Sequence, residues 1–445
     1  MRQGTRPNGR RNLLALPAVV SLAGCLGLHP LSDEATERLD VFDFYWQQIS
    51  DDYPLFGQRP IDWNELRRRY RAAAPAARAP HQFYHLLTGM LSELNDLHVS
   101  LWVPPERFAA DGLAATSLLD VPGFRVMPID GRLHVIGWPL GQAPMPPDDL
   151  PAGNHYPELW RVEGFQVVLT LVGNLLQGPP ESAVELQLRW RDGTLTRHVL
   201  RRPPQGTALR HSPLGHLGSE RRGFHVRRNE PWHWITVDSF ADEAALAGLD
   251  AAIDDARVGS GLVLDLRRNQ GGMFRNAQRL AERFLNSPVP IVYAPPHPES
   301  RWFGLMQVEY YMHEEWVPRE PRFDRPLVVL TSVMTGSAAE HTARILQRYA
   351  GATLVGERTA GAETVVQSAI GPDGAELRFG SMRVLEANGA GLQTDGVVPD
   401  VAVRLDLDSV EALGADAAVT DWERRLREAV GKVLERQNRN QNAVR

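Results

Sequence analysis

From about residue 224 onward, short apolar runs alternate with amphipathic helical patterns, and few folds satisfy that alternation. Trp234-Ile-Thr-Val is followed by a helical pattern around 242–257, Leu262-Val-Leu-Asp-Leu by one around 275–286, and Leu327-Val-Val-Leu by one over 338–350, after which comes Thr353-Leu-Val. An apolar run of four or five residues is long enough for a strand buried on both faces, and each is followed by a helix that covers one face. The pattern predicts an α/β core of parallel β-α-β units with its chemistry at the carboxyl ends of the strands. The segment Asp421–Arg436 has helical spacing and closes the chain as a terminal helix.

Upstream of this core the character changes twice. Residues 36–117 read as a helical domain, with Leu39, Phe42, Trp46 and Ile49 at helical spacing and a Pro/Ala break near 75–80. Residues 118–203 hold short β-rich runs separated by Gly, Pro and Asp turns, and 204–223 make a Gly/Pro/Ser/Arg-rich linker to the core at 224–445. With 43% hydrophobic residues, a formal charge of −6 and no basic run with interleaved aromatics, the chain is an ordinary folded protein with no electrostatic reason to bind nucleic acid. At the amino terminus Arg2, Arg6, Arg10 and Arg11 precede the apolar run Leu13–Leu22, which is too short for a permanent bilayer helix and reads as an export signal over 1–24. It ends in Leu22-Ala-Gly-Cys25, which resembles a bacterial lipobox. That resemblance implies lipid attachment at Cys25, the only cysteine, followed by a tether over 25–35. The expected location is the bacterial cell envelope, lipid-anchored and periplasm-facing at the outer membrane.

Lysine occurs once, at Lys432 on the terminal helix, and this restricts how a serine here is activated. A serine hydroxyl needs an adjacent base, usually lysine or histidine, so the base of any serine enzyme built from this chain is a histidine. The sharpest candidate nucleophile is Ser337 in Met334-Thr-Gly-Ser-Ala-Ala-Glu340, at the start of a helix, where free N–H groups and the helix dipole favour a developing oxyanion. The same Ser337-x-x-Glu340 spacing is a capping box, the competing structural reading. Gly271 and Gly272 end Asp265-Leu-Arg-Arg-Asn-Gln-Gly-Gly272 after a predicted strand, and their N–H groups can face a ligand. His98, in Leu94-Asn-Asp-Leu-His-Val-Ser100, lies where a helical pattern gives way to alternation. His341 is the rival base, with its place in the helix favouring a surface role. His81 and His85 have i, i+4 spacing without the glutamate of a zinc protease, and no P-loop or Gly-x-Ser-x-Gly elbow is present.

Taken together, in this order and with Gly356-Glu-Arg-Thr-Ala-Gly361 and Gly396-Val-Val-Pro-Asp400, these segments resemble the C-terminal processing peptidase family, which includes the tail-specific proteases and the core of tricorn protease. The resemblance covers about 36–430. It implies a crotonase-like or ClpP-like catalytic core, an inserted PDZ-like domain over 118–203, Ser337 as nucleophile, and an oxyanion hole from the Ala338 N–H and one of Gly271 or Gly272. The tail-specific branch places its lysine where this chain has Ala362, whereas the tricorn-like branch uses a histidine that His98 matches. That branch also has a serine before the histidine and a glutamate three residues before Gly-Val-x-Pro-Asp; here those positions hold Leu97 and Gln393. An amide orients an imidazole but does not stabilise imidazolium as a carboxylate does, so Asp395 is the alternative support for His98. In the PDZ-like segment the amides of Gly123 and Phe124 are the expected holders of a peptide carboxylate. The expected function is a serine endopeptidase acting on envelope proteins or peptides, with no cofactor and no metal. The alternative is a weak or inactive peptide- or ligand-binding lipoprotein of the same fold.

Overall fold

The computed structural model describes residues 33–104, 106–107, 116–117, 124–138, 141, 156–167, 175–204, 223–227, 232–296, 299–303, 306–310, 312–362, 364–386 and 395–444. The predicted signal and Cys25, most of the linker, Gly123 and Gln393 lie outside them.

The core is a six-stranded sheet in the order Phe224–Arg227, His233–Val237, Leu262–Asp265, Leu327–Thr331, Thr353–Gly356 and Val401–Ala402. Its first pair is antiparallel and every other pair parallel. Successive side chains of a strand point to opposite faces, which explains the unbroken apolar runs. Ile235, Leu262, Leu264 and Val329 meet the helices Leu249–Ala256, Phe274–Ala281 and Ala338–Tyr349 on one face. Trp234, Val263, Val328 and Leu330 meet the terminal helix Ala415–Val444 on the other, through Trp422, Leu426, Val430 and Leu434 at four-residue spacing. Lys432 is exposed on that helix.

A second sheet, not foreseen from sequence, carries the amino-terminal part onto the core. The long strand Glu376–Glu386 pairs on one edge with Thr364–Ile370, and elsewhere with Ser100–Trp102 and Val289–Ala294, which in turn pairs with Met312–Trp316. Ser100–Trp102 and Val289–Ala294 are far from the long strand in the chain, and Thr364–Ile370 alternates half-buried and exposed after Thr364 without a run of large apolar residues. Local periodicity therefore gives them little signal. The helices Asp33–Asp52, Trp63–Ala73 and Pro80–Ser92 pack Phe42, Tyr45, Ile49, Leu87 and Met90 against Ala375, just before the long strand, and Leu377 and Phe379 on it. The hairpin turn is held from the helices as well: Tyr45 and Tyr84 donate their hydroxyls to Asp373 at 2.5 and 2.9 Å.

The β-rich segment forms a separate antiparallel sheet in the order Arg125–Ile129, Arg132–Gly137, Glu158–Val162, Ala183–Arg189 and Leu195–Arg201. Phe165 at its hairpin stacks on Tyr70 and lies against Gly89, where a Cβ would come within 2.0 Å of the ring. On the other side Met127 and Ile129 join the cluster under the terminal helix. Among the described residues no helix is long and apolar enough to cross a membrane.

Candidate active site

Ser337 sits between the carboxyl end of Leu327–Thr331 and the helix Ala338–Tyr349, with φ 53° and ψ −126°. A positive φ is uncommon for a residue with a Cβ and is sustained only by surrounding bonds. Those bonds are present: the Ser332 hydroxyl donates to Arg267 O at 2.6 Å, the Thr335 hydroxyl to Leu266 O at 2.9 Å, and the Gly336 N–H to Asn269 O at 3.0 Å. The Ser337 turn is thus laced to the Gly-Gly turn of the neighbouring parallel strand.

Only the carboxylate half of the capping box forms. The Ser337 N–H donates to Glu340 Oε2 at 3.1 Å, while the Ser337 hydroxyl makes no cap hydrogen bond. Glu340 is fully buried and also accepts from the Thr359 hydroxyl at 2.5 Å and from the Gly361 and Ala362 N–H groups, both at 2.7 Å. Burial pushes its carboxyl up to about 7 against these donors. Its work is to join the start of the helix to the 359–362 loop, which leaves the serine hydroxyl uncommitted.

The two glycines are not equivalent. Gly271 donates its N–H to Asn269 Oδ1 at 2.8 Å, so that donor is occupied. Gly272, by contrast, takes part through Phe240 only in a parallel bridge, and neither its N–H nor that of Ala338 is among the turn's hydrogen bonds. At φ 102° Gly271 has its backbone against Ser337: a Cβ would lie 2.7 Å from Ser337 Cβ and 3.0 Å from the Ala338 N. Asp265, which opens the motif, is structural. Burial pushes its carboxyl up, but the Arg267 guanidinium outweighs this and holds it below the usual carboxylate range. Arg267 donates to both Asp265 oxygens at 2.9 and 2.7 Å and reaches Glu423 of the terminal helix at 2.7 Å.

His98 reaches the site from the amino-terminal helices because the strand that follows it, Ser100–Trp102, pairs with Glu376–Arg378. Asp96 fixes the turn, accepting the His98 N–H at 2.8 Å and the Tyr53 hydroxyl at 2.6 Å. The imidazole Nδ1 lies 2.7 Å from Thr364 Oγ1 and 3.3 Å from the Thr364 N–H. Nε2 is buried without a hydrogen-bond partner. Burial lowers the imidazole pKa and the Asp96 charge only partly opposes it, so the ring is neutral near pH 7, the state a base requires.

Ser337, Gly272 and His98 line one cavity of about 820 Å³. Asp395 is exposed and bonded to Arg358 through its carbonyl, while Thr364 is the described residue at Nδ1. Thr364 was missed because its relevance comes from a hairpin edge, with Gly380 beneath it leaving room; a Cβ there would meet its hydroxyl at 2.0 Å. His341 departs from the expected surface role: it is buried, edge-on to Phe274 at 5.2 Å. His81 and His85 pack edge to face at 6.0 Å on one helix, and among the described residues no cluster of three metal-binding side chains occurs. Phe124 is buried against Trp138 at 6.0 Å in the β-rich sheet.

A serine on a sharp strand-to-helix turn and a half-buried histidine line a common cavity, the pair of groups a serine-type hydrolase requires. Residues 234–403 match the model of peptidase family S41, and residues 34–92 match that of the tricorn protease C1 domain. The chain is 29% identical over 187 residues to the carboxy-terminal processing protease CtpA of Bacillus subtilis, a match covering 41% of this chain and 37% of that one. A second match, to the carboxyl-terminal-processing protease of a Synechocystis species, is 24% identical over 404 residues, 88% of this chain and 87% of the relative. In fold the chain is similar to mature CPAF, with a TM-score of 0.58 and 12% identity over 90% of this chain and 98% of that one.

Proposed function

We propose that this protein is a serine endopeptidase of the C-terminal processing type with a histidine-activated nucleophile. The observation that carries the reading is the set of uncommitted groups at one cavity: the Ser337 hydroxyl, His98 Nε2 and the Gly272 N–H, with the Ala338 N–H beside the nucleophile. In the proposed reaction Ser337 Oγ attacks the peptide carbonyl carbon while its proton passes to His98 Nε2. The carbonyl oxygen takes up the negative charge and is met by the Gly272 and Ala338 N–H groups. His98 then gives the proton to the departing amine, and water releases the acyl group by the same steps in reverse order of roles. In the tautomer this reaction uses, Nδ1–H donates to Thr364 Oγ1, 2.7 Å away, and Nε2 is available as acceptor.

In the same reading the core is crotonase-like, and residues 118–203 form a PDZ-like unit that presents peptides, with Gly123 and Phe124 near the peptide carboxylate. The chain is anchored in the envelope through a lipid on Cys25, and its substrates are proteins or peptides there. Uncommitted catalytic groups favour turnover over a binding role. The test is mass-mapped labelling by a fluorophosphonate probe, beside Ser337→Ala and His98→Ala. Labelling confined to Ser337 and lost with either substitution is expected; absence of labelling from pH 6 to 9 rejects a catalytic role.

A further inference from the structure

The cavity has an apolar wall and a carboxylate that forms no ion pair among the described residues. Phe274 and Tyr293 meet edge to face at 5.8 Å, and with Val365, Met382 and Leu97 they form the lining beside Ser337 and His98. Glu314 of the strand Met312–Trp316 lines the same cavity and is half-buried. Its hydrogen bond comes from the Tyr293 hydroxyl, at 2.5 Å to Oε2, and among the described residues it has no ion pair. Burial and the neighbouring Glu314 push the Tyr293 phenol up, so it donates to the carboxylate and does not compete with it. The other full charge at the cavity, Arg378, is exposed and held by Glu376 at 2.7 Å, and His313 makes no ion pair with Glu314 among the described residues.

From this we infer that the cavity is a specificity subsite for a lysine or arginine side chain of the peptide substrate, with Glu314 as the specificity-determining residue. The inference deepens the peptidase reading and rests on it for the identity of the ligand. A substrate that covers the cavity strips water from Glu314. An apolar side chain leaves that carboxylate desolvated and unpaired, which is costly. An arginine or lysine lays its methylenes along Phe274, Val365 and Met382, places its cation beside the aromatic faces, and turns the same desolvation into an ion pair. An acidic side chain meets like charge and is rejected.

The experiment separates this inference from the reaction. With the full-length protein carrying Ser337→Ala, fluorescence polarisation measures the affinity of three labelled pentapeptides, Ala-Ala-X-Ala-Ala with X as arginine, leucine or glutamate. Arginine is expected to bind about tenfold more tightly than leucine and glutamate most weakly, with the arginine advantage lost on Glu314→Gln. In Glu314→Arg the glutamate peptide should become the preferred one, a gain that misfolding cannot produce. Equal affinities for the three peptides, or an arginine preference that survives Glu314→Gln, overturns the inference. Fluorophosphonate labelling of the unsubstituted protein is run in parallel: its failure removes the peptidase reading, while arginine-selective binding would still establish the subsite.

Discussion

Replacing Thr364 by valine keeps the shape of a buried side chain and removes one hydroxyl, so it isolates what that oxygen does for His98. Thr364 Oγ1 lies 2.7 Å from Nδ1, with the Thr364 N–H at 3.3 Å from the same atom. The hydroxyl can accept from Nδ1–H, which leaves the Nε2 lone pair for the Ser337 proton. With valine only the backbone N–H remains, and as a donor it favours a bare Nδ1 with the proton on Nε2, the tautomer unable to act as base. Loss of a hydrogen bond to the imidazolium formed during attack costs about 1.5–3 kcal/mol, and the lost tautomer preference about 1 kcal/mol more. The sum of about 3 kcal/mol corresponds to a fall on the order of 10²-fold in rate. The assay is the second-order rate of fluorophosphonate labelling at Ser337, with the imidazole tautomer read from ¹⁵N chemical shifts. Thr364→Ser retains the hydroxyl and should stay within a few-fold of the unsubstituted protein. A Thr364→Val rate within threefold, with the tautomer unchanged, would refute the assignment of Thr364 as the positioning residue.

Three further outcomes follow from the site. Gly271→Ala puts a Cβ 2.7 Å from Ser337 Cβ at φ 102°, so labelling should fall at least tenfold and stability by about 2 kcal/mol, read by urea denaturation. Glu340→Ala orphans four donors around the nucleophile turn and should cost about 3 kcal/mol, with labelling reduced; Glu340→Gln should be only a partial rescue because one oxygen becomes an NH₂ group. Because burial lowers the His98 pKa, the acid limb of the labelling profile should lie below the ordinary histidine value of about 6.5. The same shift destabilises the fold as pH falls through 6.5, since there the unfolded chain binds the proton more readily; above that pH His98 adds no pH dependence. His98→Gln should remove this contribution from a Tm-versus-pH series.

The core was legible in sequence because its strands are buried on both faces, and such strands announce themselves as continuous apolar runs separated by helices. Leu262–Asp265 and Leu327–Thr331 are found where the alternation puts them, and Ser337 and the Gly-Gly turn fall at their carboxyl ends. The near absence of lysine likewise leaves histidine as the candidate base on sequence alone. What the sequence left open were choices made by contacts between distant segments. The Gly271 N–H is spent on Asn269 while that of Gly272 is not, and the Ser337 hydroxyl is left out of its own capping box. The partner of His98 is a threonine 266 residues away, brought there by a hairpin whose other edge takes the strand after His98. Periodicity and motif spacing are local properties and fix which elements form and where their turns lie. Which donor stays free, which ring nitrogen is held and which carboxylate faces the cavity depend on the pairing of strands far apart in sequence, and only the tertiary structure decides that.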